Sequence, residues 1–448
     1  MMGTMTEREF ALSVVRRLHK AGHQALWAGG CVRDELLGLT PKDYDVATDA
    51  RPEQVKRLFR RHVAVGESFG VVKVLAPRRS AARELDVEIA TFRADLGYSD
   101  GRRPDEVIFS SPREDALRRD FTVNGMFFDP IKGELIDYVG GQNDLRARLL
   151  RAIGDPALRF GEDKLRMLRA VRFATCFDLT IEPATAVAIQ EMAGGITVVS
   201  GERIREELRR ILMHLGRARG LNLMLELRLV GPILPELLPM KGLPQGPPQQ
   251  PTGDLWHHVL RVMELLGPEP SFPLALGALL HDVGKPRTVG RTPERYTFHS
   301  HEHVGARLAD VVCRRLKLSN DERKRVVWLV EKHQYLADAR QLRSSKLKPI
   351  LAHAGIGELL ALHRADALAS GRSVDHVEYC ESLLREWTAR DLDPLPLLTG
   401  HDLLTRGIPQ GPLYARLLDA VREAQLDGTI RTRAEAWALV EEKLREVK

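Results

Sequence analysis

Phe10, Val14, Val15 and Leu18 recur at three- and four-residue spacing, which predicts an amphipathic helix near the start of the chain. Up to about residue 150 the pattern then alternates between helix and strand. Short runs of strand-like character, ALWAGG, DYDVAT, FGVVKVLA, LDVEIATF and GELIDYVG, predict the strands. From about 155 to 230 the period becomes helical, most clearly in EDKLRMLRAVRFATCF and GERIREELRRILMHL. Residues 235–251 place six prolines in 17 positions, and proline continues neither a helix nor a ladder, so a linker or extended crossover is expected. A second helical region runs from 254 to about 385, and LLTGHDLLTRGIPQGPLYARLLDAVREAQLDG closes the chain as a last helical segment. The pattern predicts an α+β chain: a mixed sheet with helices over 1–150, then all-helical domains over 151–235, 254–385 and 386–448, with 236–253 as the linker.

Composition narrows this picture. A chain of 448 residues is too long for one core, so two to four domains are expected. A net charge of +6 points toward a polyanionic partner, and the excess of arginine over lysine favours planar, forked contacts to phosphate. Cys31, Cys176, Cys313 and Cys380 are far apart and form no CxxC pair, which reads as reduced thiols in a cytoplasm. The N-terminal segment carries acidic residues and does not read as a signal peptide. No apolar run approaches the ~20 residues that span a bilayer, so no membrane partner is expected.

The densest chemistry lies in LWAGGCVRDELLGLTPKDYDVATD, residues 26–49. ALWA reads as a strand, Gly29 and Gly30 as a tight turn, and CVRDELLG as the start of a helix, whose free N–H groups suit a phosphate. Arg33 adds a formal charge there. Asp43 and Asp45, two apart in a β-like run, are expected to share one face, the arrangement that a pair of magnesium ions requires. LDVEIATFR supplies a third carboxylate: Glu88 is preferred, with Asp86 as the alternative. The reaction implied is nucleotidyl transfer, in which a hydroxyl attacks an α-phosphate in line and pyrophosphate departs.

AGGCVRDELLG, KDYDVATD, LRRDFTVNGMFFDP and GEDKLRMLRAVRFA, in this order, resemble the successive motifs of class II tRNA nucleotidyltransferases and the related bacterial poly(A) polymerases. The resemblance runs over nearly the whole chain. It implies a polymerase-β-like head followed by helical neck, body and tail, and template-independent growth of a tRNA 3′ end to CCA from CTP and ATP. It also implies that Arg119 of RRDFTVN meets the nucleotide phosphates or sugar. EDKLRMLRAVRF reads as one helix bearing Asp163, Arg166, Arg169 and Arg172 at i, i+3 spacing, a stripe that creeps by ~60° per member. Asp163 can accept from the exocyclic amine of C or A while Arg166 donates to the acceptors beside it. G or U would aim a carbonyl oxygen at the carboxylate, costing ~1–3 kcal/mol. Arg169 and Arg172 are left for phosphate or helix anchoring, with plain ion pairing along the helix as the bland alternative. FRADLGYSDGRRPDEVIF reads as a mobile loop, which in the resembled family assists the switch from C to A.

Histidine is crowded into the second half. The His281-Asp282 doublet, followed by VGKP, resembles with His258 and Asp366 the metal quartet of HD-domain phosphohydrolases. The metal, a divalent transition ion or Mg2+, is not specified. His301 and His333 extend the set toward a second metal. The resemblance implies phosphatase or cyclic-phosphodiesterase activity on damaged 3′ ends, with a purely structural helical bundle as the alternative. The terminal segment resembles an RNA-contacting tail, with Arg416 and Arg422 expected on an exposed side. The leading expectation is a CCA-adding enzyme with an attached HD domain. A poly(A) polymerase or an enzyme adding only A shares the same head. An HD phosphohydrolase with a non-catalytic, RNA-binding N-terminal half has no need of Asp43 and Asp45.

Overall fold

A computed structural model describes residues 5–64, 70–77, 84–97, 106–245 and 253–446. The chain divides into two compact units, Met1–Pro235 and Glu236–Lys448.

The first unit is built on a seven-stranded mixed sheet. Its strands are β1 (Ala25–Ala28), β2 (Asp45–Thr48), β3 (His62–Ala64), β4 (Val71–Leu75), β5 (Asp86–Thr91), β8 (Met126–Asp129) and β9 (Glu134–Asp137), in the order β3-β4-β5-β2-β1-β8-β9. The β2–β5 pair is parallel and the other pairs are antiparallel. A separate hairpin joins β6 (Arg93–Leu96) to β7 (Glu106–Phe109). Those strands lie where the sequence predicts a loop; residues 98–105 of that expectation fall outside the described residues.

The helix Glu7–Lys20 starts with a Thr6/Glu9 capping box and buries Phe10, Ala11, Val14, Val15 and Leu18. It packs against β1, β2 and β5. Leu26, Ala28, Ala47, Phe92, Ala116 and Phe127 form a further cluster, so every residue of β1 is buried. A strand covered on both faces shows no alternation, and this is why β8, whose Phe127 meets Phe92 edge-on at 6.0 Å, is absent from the sequence reading.

Short helices follow the sheet, among them Pro156–Glu162, Leu165–Cys176, Gly201–Leu212 and Arg217–Glu226. The Leu165–Cys176 helix packs against the latter two. Asp163 is not part of the predicted continuous helix. Its backbone is extended (φ −142°, ψ 107°) in a break between two helices, and its Oδ1 accepts from the Leu165 N–H at 3.0 Å. A short acid beside a helix start binds free backbone donors in preference to continuing the turn.

In the second unit, the proline-rich segment opens as a packed 3-10 turn, Pro235–Met240, with Leu237 and Met240 buried, in place of an extended linker. Pro244–Gln245 then pairs with Gly253–Asp254, and residues 246–252 are outside the described residues. The helix Phe272–Leu280 buries eight of its nine residues, as the central member of a bundle must. Around it stand Leu255–Leu265, His301–Arg315, Asn320–Lys332 and Ile356–Ala369. A separate apolar cluster including Leu403, Leu417, Val421, Ala436 and Val440 joins Pro412–Leu426 to a final helix, Arg433–Glu446. Arg416 is exposed. Arg422 is not on a free face as expected: it is half-buried, donating to the Pro394 carbonyl at 2.5 Å and paired with Asp393.

Candidate functional site

Strand register assembles the first group of carboxylates. The parallel β2–β5 pairing sets Asp45 beside Glu88, so the two share a sheet face. On the other side of β5, Lys73 pairs with Glu88 in register. The Lys73 ammonium lies 3.0 Å from Asp86 and 3.7 Å from Glu88. Asp43 is not in a strand: β2 begins at Asp45, and Asp43 belongs to the segment leading into it. Asp45 is exposed to solvent yet has protein packed around it. That surrounding mass, with the Glu88 and Asp43 carboxylates, pushes its pKa up to about 6. Acidic oxygens that repel one another, and that Lys73 and Arg119 only partly compensate, fit a hard divalent cation, which takes oxygen ligands.

Asp45 also lines an open cleft of about 550 Å³ with Gly29, Gly30, Arg33, Arg118, Arg119, Asp120, Asn124, Asp163, Arg166, Arg169, Arg172, Phe173, Arg203 and Arg210. Asp43, Asp86 and Glu88 do not line it, so Asp45 is the link between the carboxylate group and the cleft. Gly29 turns the chain with φ +73°. A Cβ there would lie 2.7 Å from Arg119 Nη1, so glycine is needed both for the backbone and for the close approach of the guanidinium.

Among the described residues eight arginines line the cleft, and most are already paired. Arg33 donates to Asn124 Oδ1 at 2.5 Å and Asp34 at 2.6 Å, and lies 3.8 Å above the Phe177 ring. Arg118 and Arg119 share buried Asp115 at 2.6 and 3.0 Å. Arg166 pairs with Glu162 and donates to the Arg159 carbonyl at 3.0 Å. Arg169 holds Asp120 at 2.6 Å, and Arg172 holds Glu207 at 2.5 Å. Burial opposes ionisation of Asp120, yet Arg169 and Asn124 keep its pKa down at about 2. Arg203 grips both oxygens of Asp163, at 3.2 and 2.7 Å. A guanidinium carries five N–H donors, so one carboxylate does not exhaust it. The cleft can therefore bind a polyphosphate with donors that its internal pairs have oriented.

Sequence reasoning missed Arg203 and Arg210, which come from the Gly201–Leu212 helix. Their spacing of seven residues, two helical turns, was the available signal.

The second unit carries a different cluster. The donor atoms of His258, His281 and Asp366 lie within 4.8 Å of one another, as do those of Asp282, His301 and His333. Asp282 touches both sets: its Oδ2 is 3.2 Å from His281 Nε2 and 3.7 Å from His258 Nε2, and its Oδ1 is 3.2 Å from His301 Nε2 and 3.6 Å from His333 Nε2. His281, His301 and His333 each approach a backbone carbonyl through Nδ1 at 2.7 Å. A carbonyl only accepts, so each Nδ1 carries a proton and Nε2 faces the cluster, where His301 Nε2 lies 3.2 Å from His333 Nε2. The Nε2 atoms of His258 and His281 are buried without a hydrogen bond. Imidazole Nε2 atoms gathered beside carboxylates form a donor set that fits a divalent metal. Burial lowers His333, and it also opposes a charge on His281, which Asp282 and Asp366 nevertheless hold above its ordinary value. Lys285 pairs with Asp282 Oδ2 at 2.7 Å and Arg372 with Asp366 Oδ2 at 2.9 Å. Neither cation was singled out from sequence, although Lys285 follows Asp282 by three residues.

The chain matches three family models: the poly A polymerase head domain over residues 25–151, the probable RNA and SrmB-binding site of polymerase A over 178–241, and the HD domain over 255–391. It is 40% identical over 220 residues to a CCA-adding enzyme of Bacillus pumilus, covering 49% of this chain and 53% of that protein. The corresponding match to the Bacillus subtilis CCA-adding enzyme is 42% over 220 residues, covering 49% and 54%. The chain thus spans about half the length of these curated relatives. Among solved structures, it superposes on the Bacillus stearothermophilus CCA-adding enzyme in complex with CTP with a TM-score of 0.74 and 25% identity, covering 99% of both chains. The Thermotoga maritima CCA-adding enzyme complexed with tRNA shares the fold at a TM-score of 0.58 and 21% identity, covering 98% of this chain and 95% of that one. Among the described residues no helix is long and apolar enough to cross a membrane.

Proposed function

We propose that this chain, which matches the poly A polymerase head, RNA-binding and HD models in turn and superposes on CCA-adding enzymes, adds C and A to the 3′ end of tRNA from CTP and ATP, without a nucleic-acid template. The observation that carries this reading is the position of Asp45, in register with Glu88 and on the wall of the arginine-lined cleft. Carboxylates suited to cations thus adjoin donors suited to phosphates.

Asp43, Asp45 and Glu88 would hold Mg2+, with Asp86 occupied by Lys73. When bound, Mg2+ supplies activation of the attacking hydroxyl and charge stabilisation of the departing pyrophosphate. Arg33 and Arg119, with the backbone at Gly29 and Gly30, bind the triphosphate. Asp163 and Arg166 read the base edge. Arg169 and Arg172, committed to Asp120 and Glu207, fix the helix that presents Arg166.

Residues 1–150 are assigned to the nucleotidyltransferase head, 151–235 to the neck and body, 254–385 to the HD domain and 386–448 to the tail, joined by 236–253. In the HD domain, His258, His281, Asp282 and Asp366 would hold a divalent metal, with His301 and His333 available for a second, in a phosphate-releasing activity on damaged 3′ ends. The free cysteines fit a cytoplasmic setting.

The test is incubation of purified protein with tRNA ending before CCA and each nucleoside triphosphate singly. Incorporation of both C and A, stopping after three residues, is expected. Long A tails, or A without C, would assign the chain instead to poly(A) polymerases or A-adding enzymes.

A further inference from the structure

We propose that Arg203 is a positioning residue for nucleotide choice: it fixes the Asp163 carboxylate so that only one acceptor place remains for the incoming base. The inference rests on the reading of Asp163 as a base-edge acceptor and adds the residue that makes it selective.

Asp163 lies in a break between helices, where no helical period fixes its side chain. What fixes it is a set of three hydrogen bonds. Oδ1 accepts from the Leu165 N–H at 3.0 Å and from Arg203 Nη1 at 3.2 Å, and Oδ2 accepts from Arg203 Nη2 at 2.7 Å. An ionised carboxylate offers about four lone-pair places, so about one remains, on Oδ2. Asp163 and Arg203 both line the cleft.

A single remaining acceptor on an immobilised carboxylate takes one N–H from an exocyclic amine, which C and A both present. It rejects the carbonyl oxygens that U and G present at the corresponding edge. Without the fork, the carboxylate is free to rotate about χ1 and χ2, and water or the Arg166 guanidinium can fill the places Arg203 held. The group then keeps its charge but loses its direction. Arg203 reaches Asp163 from a separate helix 40 residues on, so its effect is on orientation of the acceptor. A lysine there would keep the charge without the two-point grip.

The test measures kcat/KM of the full chain for CTP, ATP, UTP and GTP on tRNA acceptors, for wild type, Arg203→Ala, Arg203→Lys, Asp163→Ala and the Asp163→Ala/Arg203→Ala double variant. Arg203→Ala is expected to lower the C:U and A:G ratios by about tenfold or more, the scale of one charge-assisted contact, with Arg203→Lys intermediate. The double variant should discriminate no worse than Asp163→Ala alone, because Arg203 acts through Asp163. An equal loss for all four nucleotides would mark Arg203 as a phosphate contact and overturn the proposal. So would unchanged ratios in both Arg203 variants. If Asp163→Ala also leaves the ratios unchanged, the base-reading role itself falls, and the two failures are thereby distinguished. Where Arg203→Ala does not fold by circular dichroism, Arg203→Lys alone decides, since only a direction-setting role predicts altered ratios with the charge retained.

Discussion

The head cleft and the histidine cluster both gather carboxylates, but they treat the resulting charge in opposite ways. In the head, Asp45 stands on a sheet, reachable by solvent, beside Glu88 and close to Asp43, and its pKa is pushed up to about 6. In the bundle, Asp282 is buried, flanked by imidazoles and Lys285, and held well below the usual carboxylate range despite its burial. The head leaves its carboxylates only partly balanced, by Lys73 and Arg119, for a ligand that arrives with its cations. The cluster is a cage whose nitrogens are oriented in advance by their own backbone. An open site of the first kind suits a substrate that enters and leaves on every turnover; a closed one of the second kind suits a resident ion.

The contrast breaks most sharply at Asp45. Asp45→Ala should cut nucleotide addition by at least about a thousandfold, the scale of losing a principal electrostatic group. Phosphate release should persist. Labelled CTP and ATP incorporation, run beside a phosphate-release assay on the same preparation, checks both; loss of both activities would erase the distinction between the sites. The mirror experiment is Asp282→Ala, which touches both histidine sets. Bound metal measured by elemental analysis and phosphate release should both fall by more than about a hundredfold, beyond the scale for losing an outer partner of a ligand, while CCA addition is retained.

Glu88→Gln sharpens the head side. It should lower addition by about a hundredfold, against less than about tenfold for Asp86→Asn, since Asp86 is committed to Lys73. Equal effects would mean that strand register does not choose the third ligand. The smallest change concerns stability. Asp120→Asn removes the charge nearest Arg169, leaving Glu207 at 3.8 Å and the Asp163 carboxylate, and should cost about 3 kcal/mol, read as a lower denaturant midpoint for the first unit. The sign with pH follows from a depressed carboxylate. In the wild type this contribution is complete above about pH 4, the unfolded value, and disappears as pH falls through about 2. The Asn variant should lack that acid-dependent component.

Much of this was legible because it is local. The Thr6/Glu9 cap, the Gly29-Gly30 turn and the two-residue spacing of Asp86 and Glu88 are properties of neighbouring residues, and strand and helix periods carry them into space. What was not legible depends on partners distant in sequence. Asp163 continues an i, i+3 series with Arg166, Arg169 and Arg172, so period alone extends the helix through it; its carboxylate instead caps the helix start and meets Arg203. Arg422 sits on a periodic helix with nothing nearby to show that Asp393 and the Pro394 carbonyl would claim it. Strands β6 and β7 are separated by residues rich in Gly, Pro and charge, which masked their pairing. The quartet of His258, His281, Asp282 and Asp366 was recognisable by resemblance, with His301 and His333 set apart for a second metal, but that Asp282 reaches both sets needed coordinates.

Residue 29 shows how little matter separates a structural position from an electrical one. The hydrogen that stands there in place of a methyl leaves just enough clearance for a guanidinium contributed ninety residues later. Adding that methyl brings in no charge, yet it must displace Arg119 and with it one fixed cation of the wall. An enlargement at the turn would thus register twice, as strain in a backbone held at φ +73° and as an electrostatic lesion that weakens the grip on anions.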